Sequence, residues 1–240
     1  MLGSTLYLGI VGSFLLLGAH TPSRAWIARQ RWIRSTMAAL AIGIALSLAI
    51  QGLQAPSRLA LSLSVAAVLG GILLGPLAGR WLRLQEGLNH AFRWAASRLE
   101  TYPSLSLSDA TSVAIVLLAL NPVGWLSAWL AGVAGDPLGM AWKATLDGIT
   151  LHGLAAWRMR PAFGALLAST VVQGLAWLGG TACRPWIESQ QLLGPTLLTA
   201  SLVWLTLPIL VLGIRKVSLA PWLIAIPAAL ALARVLQGTS

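Results

Sequence analysis

The residues able to do chemistry in this chain are few, and one apolar-flanked stretch combines several kinds of them. "WKATLDGITLHGLAAW", residues 142 to 157, carries Lys143, Asp147, Thr150 and His152 between apolar runs. Lys143 precedes Asp147 by four residues, so on a helix the two share a face and can form an ion pair, and Thr150 follows on that face. His152 lies about 140° around the helix from Asp147. It reads more simply as a hydrogen-bonded core residue than as a ligand. Upstream, "LLALNPVGWLSAW" sets Asn121 before Pro122, and Gln173 sits in a later apolar run. Proline removes a backbone donor and clashes with the preceding turn, so a kink or break is expected near Asn121. Whether that break serves a ligand or is a simple proline kink stays open. Gln51, Gln54 and Gln190 could likewise line a polar path or bond across helices.

The elements that must position these residues follow from composition. Of 240 residues, 57% are apolar and 9% charged, and the mean hydropathy is +0.80. Too little polar surface remains to cover a soluble domain, so the chain reads as an all-α integral membrane protein. A span needs about 20 mostly apolar residues. The runs at 2–19, 35–53, 59–78, 109–133, 141–157, 162–180, 194–214 and 219–236 give about eight such helices. They are continuously apolar, without the alternation of a lipid-facing strand. The first run lacks a preceding basic residue and a clear cleavage site, and is expected to be retained rather than removed as a signal peptide.

Within this frame Asp147 sits about 9 Å inside the outer end of its span. A carboxylate at a helix centre costs about 2.5 to 3.5 kcal/mol, so it should face a cavity or find a partner. Lys143 is close enough to that end to snorkel outward. Two readings stand: Asp147 as an ion-binding or proton-accepting group, and Asp147 as half of a structural Lys143–Asp147 pair.

The net charge of +10 reflects topology rather than nucleic-acid binding, because the basic residues are dispersed between spans. With the N-terminus outside, the inner loops hold Arg24, Arg29, Arg31, Arg34, Arg80, Arg83, Arg93, Arg98, Arg158, Arg160, Arg215 and Lys216, leaving Arg58, Lys143, Arg184 and Arg234 outside. That bias is positive-inside. It supports the span count and predicts that both termini lie outside. Trp81, Trp157 and Trp222 fall at inner ends and Trp129, Trp142 and Trp177 at outer ends, as interfacial anchors do. Cys183 is the single cysteine, which excludes an internal disulfide and a Cys-rich metal site.

"RWLRLQEGLNHAFRWAASRLE" places Trp81, Leu84, Leu88, Phe92, Ala95 and Leu99 at three- and four-residue steps. It predicts an amphipathic helix on the inner leaflet, its arginines near anionic lipid head groups. Gly71, Gly75 and Gly79 share a face in the third span, as do Ala41, Ala45 and Ala49 in the second, which predicts close helix packing. "TPSRAWI" at 21–27 aligns with "TACRPWI" at 181–187. The same offset pairs "LALSL" from Leu59 with "LAPWL" from Leu219. Spans one to three then map onto spans six to eight across an odd number of spans, an inverted repeat of the kind found in secondary transporters. The organisation is a single membrane domain over 1–240: a first repeat at 1–78, an interfacial helix at 79–100, central spans at 109–157 and a second repeat at 162–240.

"GDPLGMAWKATLDGIT", followed by "VVQG" and "LGIRKVSLAPWL" and preceded by the "MLGS" start, resembles the YqgA-like family of uncharacterised bacterial multi-span inner-membrane proteins. The resemblance runs the length of the chain. It implies that the family's polar motif corresponds to Pro122, Asp136, Lys143, Asp147, Gly148, Thr150 and Gln173. Tyr7, Arg80 and Ala131 depart from the pattern, standing where the family favours Asn, Glu and Asp. The family fixes no activity.

Function is therefore expected from the charged span: a small transporter or channel for an ion or small polar solute, with a site of Asp147, Thr150, Asn121 and Gln173. The alternative is a structural or accessory subunit of a membrane assembly, and a homo-oligomer or membrane-protein partner is compatible with either. Six acidic residues and three histidines, in no metal-ligand spacing and without a nucleophile motif, point away from an enzyme, a cofactor or a metal.

Overall fold

A computed structural model describes residues 9–11, 13, 24–56, 61–100, 112–113, 115–116, 118–155, 159–214 and 219–239. Most of the expected first span, with Tyr7, and also Arg58, Trp157, Arg158, Arg215 and Lys216, lie outside them. Every regular element among the described residues is helical. In chain order these are α1 (Arg24–Gln54), α2 (Leu61–Trp81), α3 (Leu84–Glu100), α4 (Pro122–Ala134), α5 (Leu138–Ala155), α6 (Met159–Ser189), α7 (Leu193–Trp204), α8 (Thr206–Val211), a 3-10 turn (Ala220–Ile224) and α9 (Ala225–Thr239).

Among the described residues five helical stretches are long and apolar enough to cross a membrane: Trp32–Gln54, Leu61–Trp81, Arg160–Ser189, Leu193–Val211 and Ala220–Gly238. The chain is an all-helical membrane protein. α4 is apolar but short. α5 falls outside the five because Lys143, Asp147 and His152 dilute its hydropathy.

The chain divides into two compact units. One is built from Ile33–Glu86 and Ala182–Ser240. Its core takes in Trp204, Leu197, Leu207 and Ile187, whereas α2 buries small residues and turns large ones outward. α2 buries Ser64, Ala67, Val68, Gly71, Gly75 and Gly79, while Leu61, Val65, Leu69, Leu73 and Leu77 are exposed. The glycine face meets the 3-10 turn and α9. A Cβ on Gly71 would lie 2.5 Å from Ala229 Cβ, one on Gly75 would lie 2.5 Å from Ala225 N, and one on Gly79 would strike Pro221. In an apolar solvent, where sequestering Leu gains little, backbone approach of this kind supplies the packing. α7 and α8 part at Leu205. Pro208 has no N–H to offer Trp204, and Leu205 N–H closes the last turn on Ser201 O at 3.0 Å. Leu198 and Gly194 of α7 lie against Gly52 of α1. Gln237 Nε2 donates to Gln190 O at 3.0 Å, and Gln85 Oε1 accepts from Ala220 N–H at 3.3 Å.

The other unit is built from Met1–Trp32 and Gly87–Thr181. Its core joins Leu118, Ala128, Ala131, Met140, Ala144, Leu151, Ala162, Ala165 and Leu166. α4 and α6 cross at Gly132 and Gly180, where a Cβ on Gly180 would lie 3.1 Å from Gly132 Cα. The expected break at Asn121 is present: Asn121 is extended (φ −69°, ψ 117°) and its side chain accepts from Val123 N–H. Pro122 at the first helical position loses nothing by lacking a donor. Gly135 closes α4 in the left-handed region at φ 75°, its N–H bonded to Ala131 O.

α3 forms where the amphipathic pattern predicts it. Arg83, with a positive φ of 51°, turns the chain between α2 and α3. Ala95 is buried, whereas Glu86, Arg93 and Arg98 are exposed.

Candidate functional site

α5 begins with Asp136, whose carboxylate accepts from Leu138 N–H at 2.9 Å. An acid there caps the first turn and complements the helix dipole. One face of α5 then carries Lys143 and Asp147 into the interior. The Lys143 side chain is 0% exposed and that of Asp147 5%. Lys143 Nζ binds Asp147 Oδ1. The lysine therefore does not snorkel outward. In a low dielectric, separating the two charges would cost more than the reach outward could return.

Gln173 of α6 completes the cluster. Its Nε2 donates to Asp147 Oδ2 at 3.4 Å and to Ser169 Oγ at 3.0 Å. Ser169 stands one turn before Gln173, and both are buried. Gln173 Oε1 is buried with no hydrogen-bond partner. A carboxylate can only accept, so the amide must turn its NH2 end to Asp147, and the orphaned end is the oxygen.

α4 contributes by what it lacks. A Cβ on Gly124 would stand 3.2 Å from Lys143 Cε and 3.3 Å from Gln173 Nε2. The glycine thus leaves the lysine stem and the amide room to lie side by side.

Of the residues expected in the site, the structure brings Lys143, Asp147 and Gln173 together. Asn121 spends its side-chain oxygen on the α4 cap. Thr150 is exposed and donates to Leu146 O at 3.0 Å. His152 is buried, on a different face of α5 from Asp147. Ser169 and Gly124 were not singled out as members by sequence reasoning. A Ser four residues before a Gln within an apolar run was the available signal for the first.

With that geometry in place, the sequence profile of a family described as a protein of unknown function (DUF554) matches residues 8–234. The chain belongs to that family. No curated protein and no solved structure matches it. The DUF554 match takes in α4, α5 and α6 whole, so every member of the cluster lies within the family's own domain.

Proposed function

We propose that this DUF554 chain is a small membrane carrier or channel for an ion or small polar solute, with its site at the buried Lys143–Asp147–Gln173 cluster. The observation that carries the reading is the orphaned Gln173 Oε1. A buried acceptor without a partner costs about 1–3 kcal/mol, and it lies beside an ion pair that is itself costly to bury. A chain that needed only a packed core would do better with apolar residues at all three positions. Polar groups inside a membrane domain commonly mark solute and ion paths.

The finer topology belongs to this proposal: about eight spans, with the 2–19 run, α4 and α5 added to the five long apolar stretches, both termini outside, in a bacterial inner membrane. Spans one to three and six to eight form an inverted repeat. One compact unit draws on Ile33–Glu86 and Ala182–Ser240, a segment from each proposed half, which supports that pairing. The outward leucines of α2 and Phe163, Leu167, Val171 and Leu175 of α6 suit contact with lipid tails. α3 lies on the inner leaflet with Arg93 and Arg98 toward anionic head groups. Asn121 lies at the break that opens the site, and Thr150 meets the solute only in a state where α5 has turned.

Flux assays in proteoliposomes test the reading. Asp147→Asn is expected to lower stability, and to abolish solute-dependent flux in the fraction that stays monodisperse. The neutral pair Lys143→Gln with Asp147→Asn keeps a hydrogen bond without charge and serves as the folding control. Full flux in that double variant would overturn the carrier reading.

A second reading is favoured by the closed Lys143–Asp147 pair itself: a structural lock in an accessory subunit. It predicts that the neutral pair keeps all function and that the protein purifies with a stoichiometric membrane partner.

A further inference from the structure

Resting on the carrier reading, the hydrogen-bonding groups left unmet in the cluster narrow what is carried. We infer that the solute is a small uncharged amide, a carboxamide or urea, whose carbonyl oxygen accepts from the Lys143 ammonium and whose N–H donates to Gln173 Oε1.

Charge excludes most other solutes. The Lys143–Asp147 pair is neutral as a whole and almost wholly shielded from solvent. One ion added to it leaves an uncompensated charge in a low dielectric, which is strongly disfavoured. A zwitterion would have to part the pair to be matched at both ends. An uncharged solute leaves the pair intact.

The groups left over then define the solute's bonding. A lysine ammonium offers three donors, and among the described residues Asp147 is its one acceptor. Both donors of the Gln173 amide are taken, by Asp147 Oδ2 and Ser169 Oγ, and Oε1 has no partner. The cluster therefore has donors to spare on one side chain and an acceptor to spare on another. Lys143 Nζ and Gln173 Nε2 sit on the two oxygens of one carboxylate, and Oε1 stands at the other end of the amide. An amide solute, whose oxygen and nitrogen lie about 2.3 Å apart by ordinary bond lengths, spans such a separation better than a single hydroxyl oxygen.

Gly124 of α4 marks where the two side chains meet. A Cβ there would stand 3.2 Å from Lys143 Cε, 3.3 Å from Gln173 Nε2 and 3.7 Å from Gln173 Cδ. That leaves scant room even for a methyl, so the site is closed on itself in this state. Loading parts the lysine stem from the amide. Both are ends of flexible side chains, and no helix backbone has to shift.

The test uses the full chain in liposomes, with uptake of radiolabelled urea, glycerol, glycine and rubidium measured against protein-free vesicles. Urea uptake is expected to be saturable and protein-dependent, with the other three at background. Acetamide should inhibit it, whereas N,N-dimethylacetamide, which keeps the carbonyl and lacks the N–H, should not. Gln173→Met keeps the length of the side chain without its acceptor and should raise the half-inhibitory acetamide concentration about tenfold. A glutamine that only locks helices together would lower the melting temperature and leave that concentration alone. Gly124→Ala, whose methyl presses on both groups, should weaken acetamide in the same direction and serves where Gln173→Met does not fold. Glycerol or glycine carried as fast as urea, dimethylacetamide inhibiting as well as acetamide, or an unchanged inhibition in both variants would each overturn the inference. If urea does not cross but glycerol, glycine or rubidium does, in an Asp147-dependent way, the amide inference falls and the carrier reading stands. If nothing crosses beyond the protein-free rate, both fall.

Discussion

The two compact units bury different things. In the unit of Ile33–Glu86 and Ala182–Ser240, α2 lays Gly71, Gly75 and Gly79 against Ala229, Ala225 and Pro221, a seam of backbone against backbone. In the unit of Met1–Trp32 and Gly87–Thr181, α5 and α6 bury an ion pair and three further polar side chains, His152, Ser169 and Gln173, and the Gln173 amide oxygen has no partner. Both are lined by small residues. At the seam the small residues bring helices into direct contact, whereas at the cluster Gly124 makes room for long polar side chains. Stability and chemistry are thus allotted to different regions, and substitutions should separate them.

The largest stability loss is expected from breaking the buried pair one-sidedly. Lys143→Met leaves Asp147 charged or forces it to take a proton in an apolar interior, a cost of about 3–5 kcal/mol. Unfolding in detergent, followed by denaturant titration, reads it. The paired change Lys143→Met with Asp147→Leu removes both charges and should recover most of that loss. A double variant no more stable than the single would mean that the pair is not the source of the cost, and the contrast with the seam would lose its basis.

Next comes the seam. Gly75→Val puts two methyl groups where even a Cβ would lie 2.5 Å from Ala225 N, and the neighbour is backbone, which cannot swing away. Overpacking costs about 1–3 kcal/mol and more where backbone must shift. The prediction is specific: the melting temperature falls, while the solute dependence of the folded fraction stays as in the wild type. A changed solute dependence would join the seam to the site.

What the sequence made legible, and what it did not, follows the same division. Periodicity located the amphipathic α3, because charge and apolar residues alternate strongly there. Asn-Pro located the break before α4, because proline chemistry is local. Lys143 and Asp147 could be paired from their spacing alone. Gln173 could be suspected but not placed, since its meeting with Asp147 depends on how α5 and α6 lie together. Ser169 and Gly124 were hidden for the same reason: a serine bonded to a glutamine and a glycine that makes room are defined by neighbours from other helices. Of the two courses open to Lys143, the inward pair prevails over the outward one because a carboxylate one turn away attracts it more strongly than the interface does.

Gly124→Ala should have a smaller effect on stability and a larger one on chemistry. Alanine favours the helix by about 1 kcal/mol over glycine. The new methyl, however, would meet Lys143 Cε at 3.2 Å and Gln173 Nε2 at 3.3 Å, both near the ends of flexible side chains that can give way. The two contributions roughly cancel in the melting temperature. The displaced amide should still shift the solute concentration that half-saturates flux. An unchanged flux profile would mean that the room left by Gly124 is incidental packing.

The smallest expected effect concerns Thr150. Its hydroxyl is exposed and already donates to Leu146 O within its own helix, so Thr150→Val, nearly isosteric, should change stability by no more than about 0.5 kcal/mol. Function is the sharper reading. Asp147 and Thr150 share a face only approximately, and the structure exposes one while burying the other. If the carrier works with α5 fixed in this orientation, Thr150→Val leaves flux untouched. If α5 turns during the cycle, Thr150 comes to the solute path, and the valine variant slows flux while equilibrium solute binding, read by thermal shift, remains that of the wild type. A loss of binding itself would place Thr150 in the resting site and would require an arrangement of α5 other than the one in which Lys143, Asp147 and Gln173 meet.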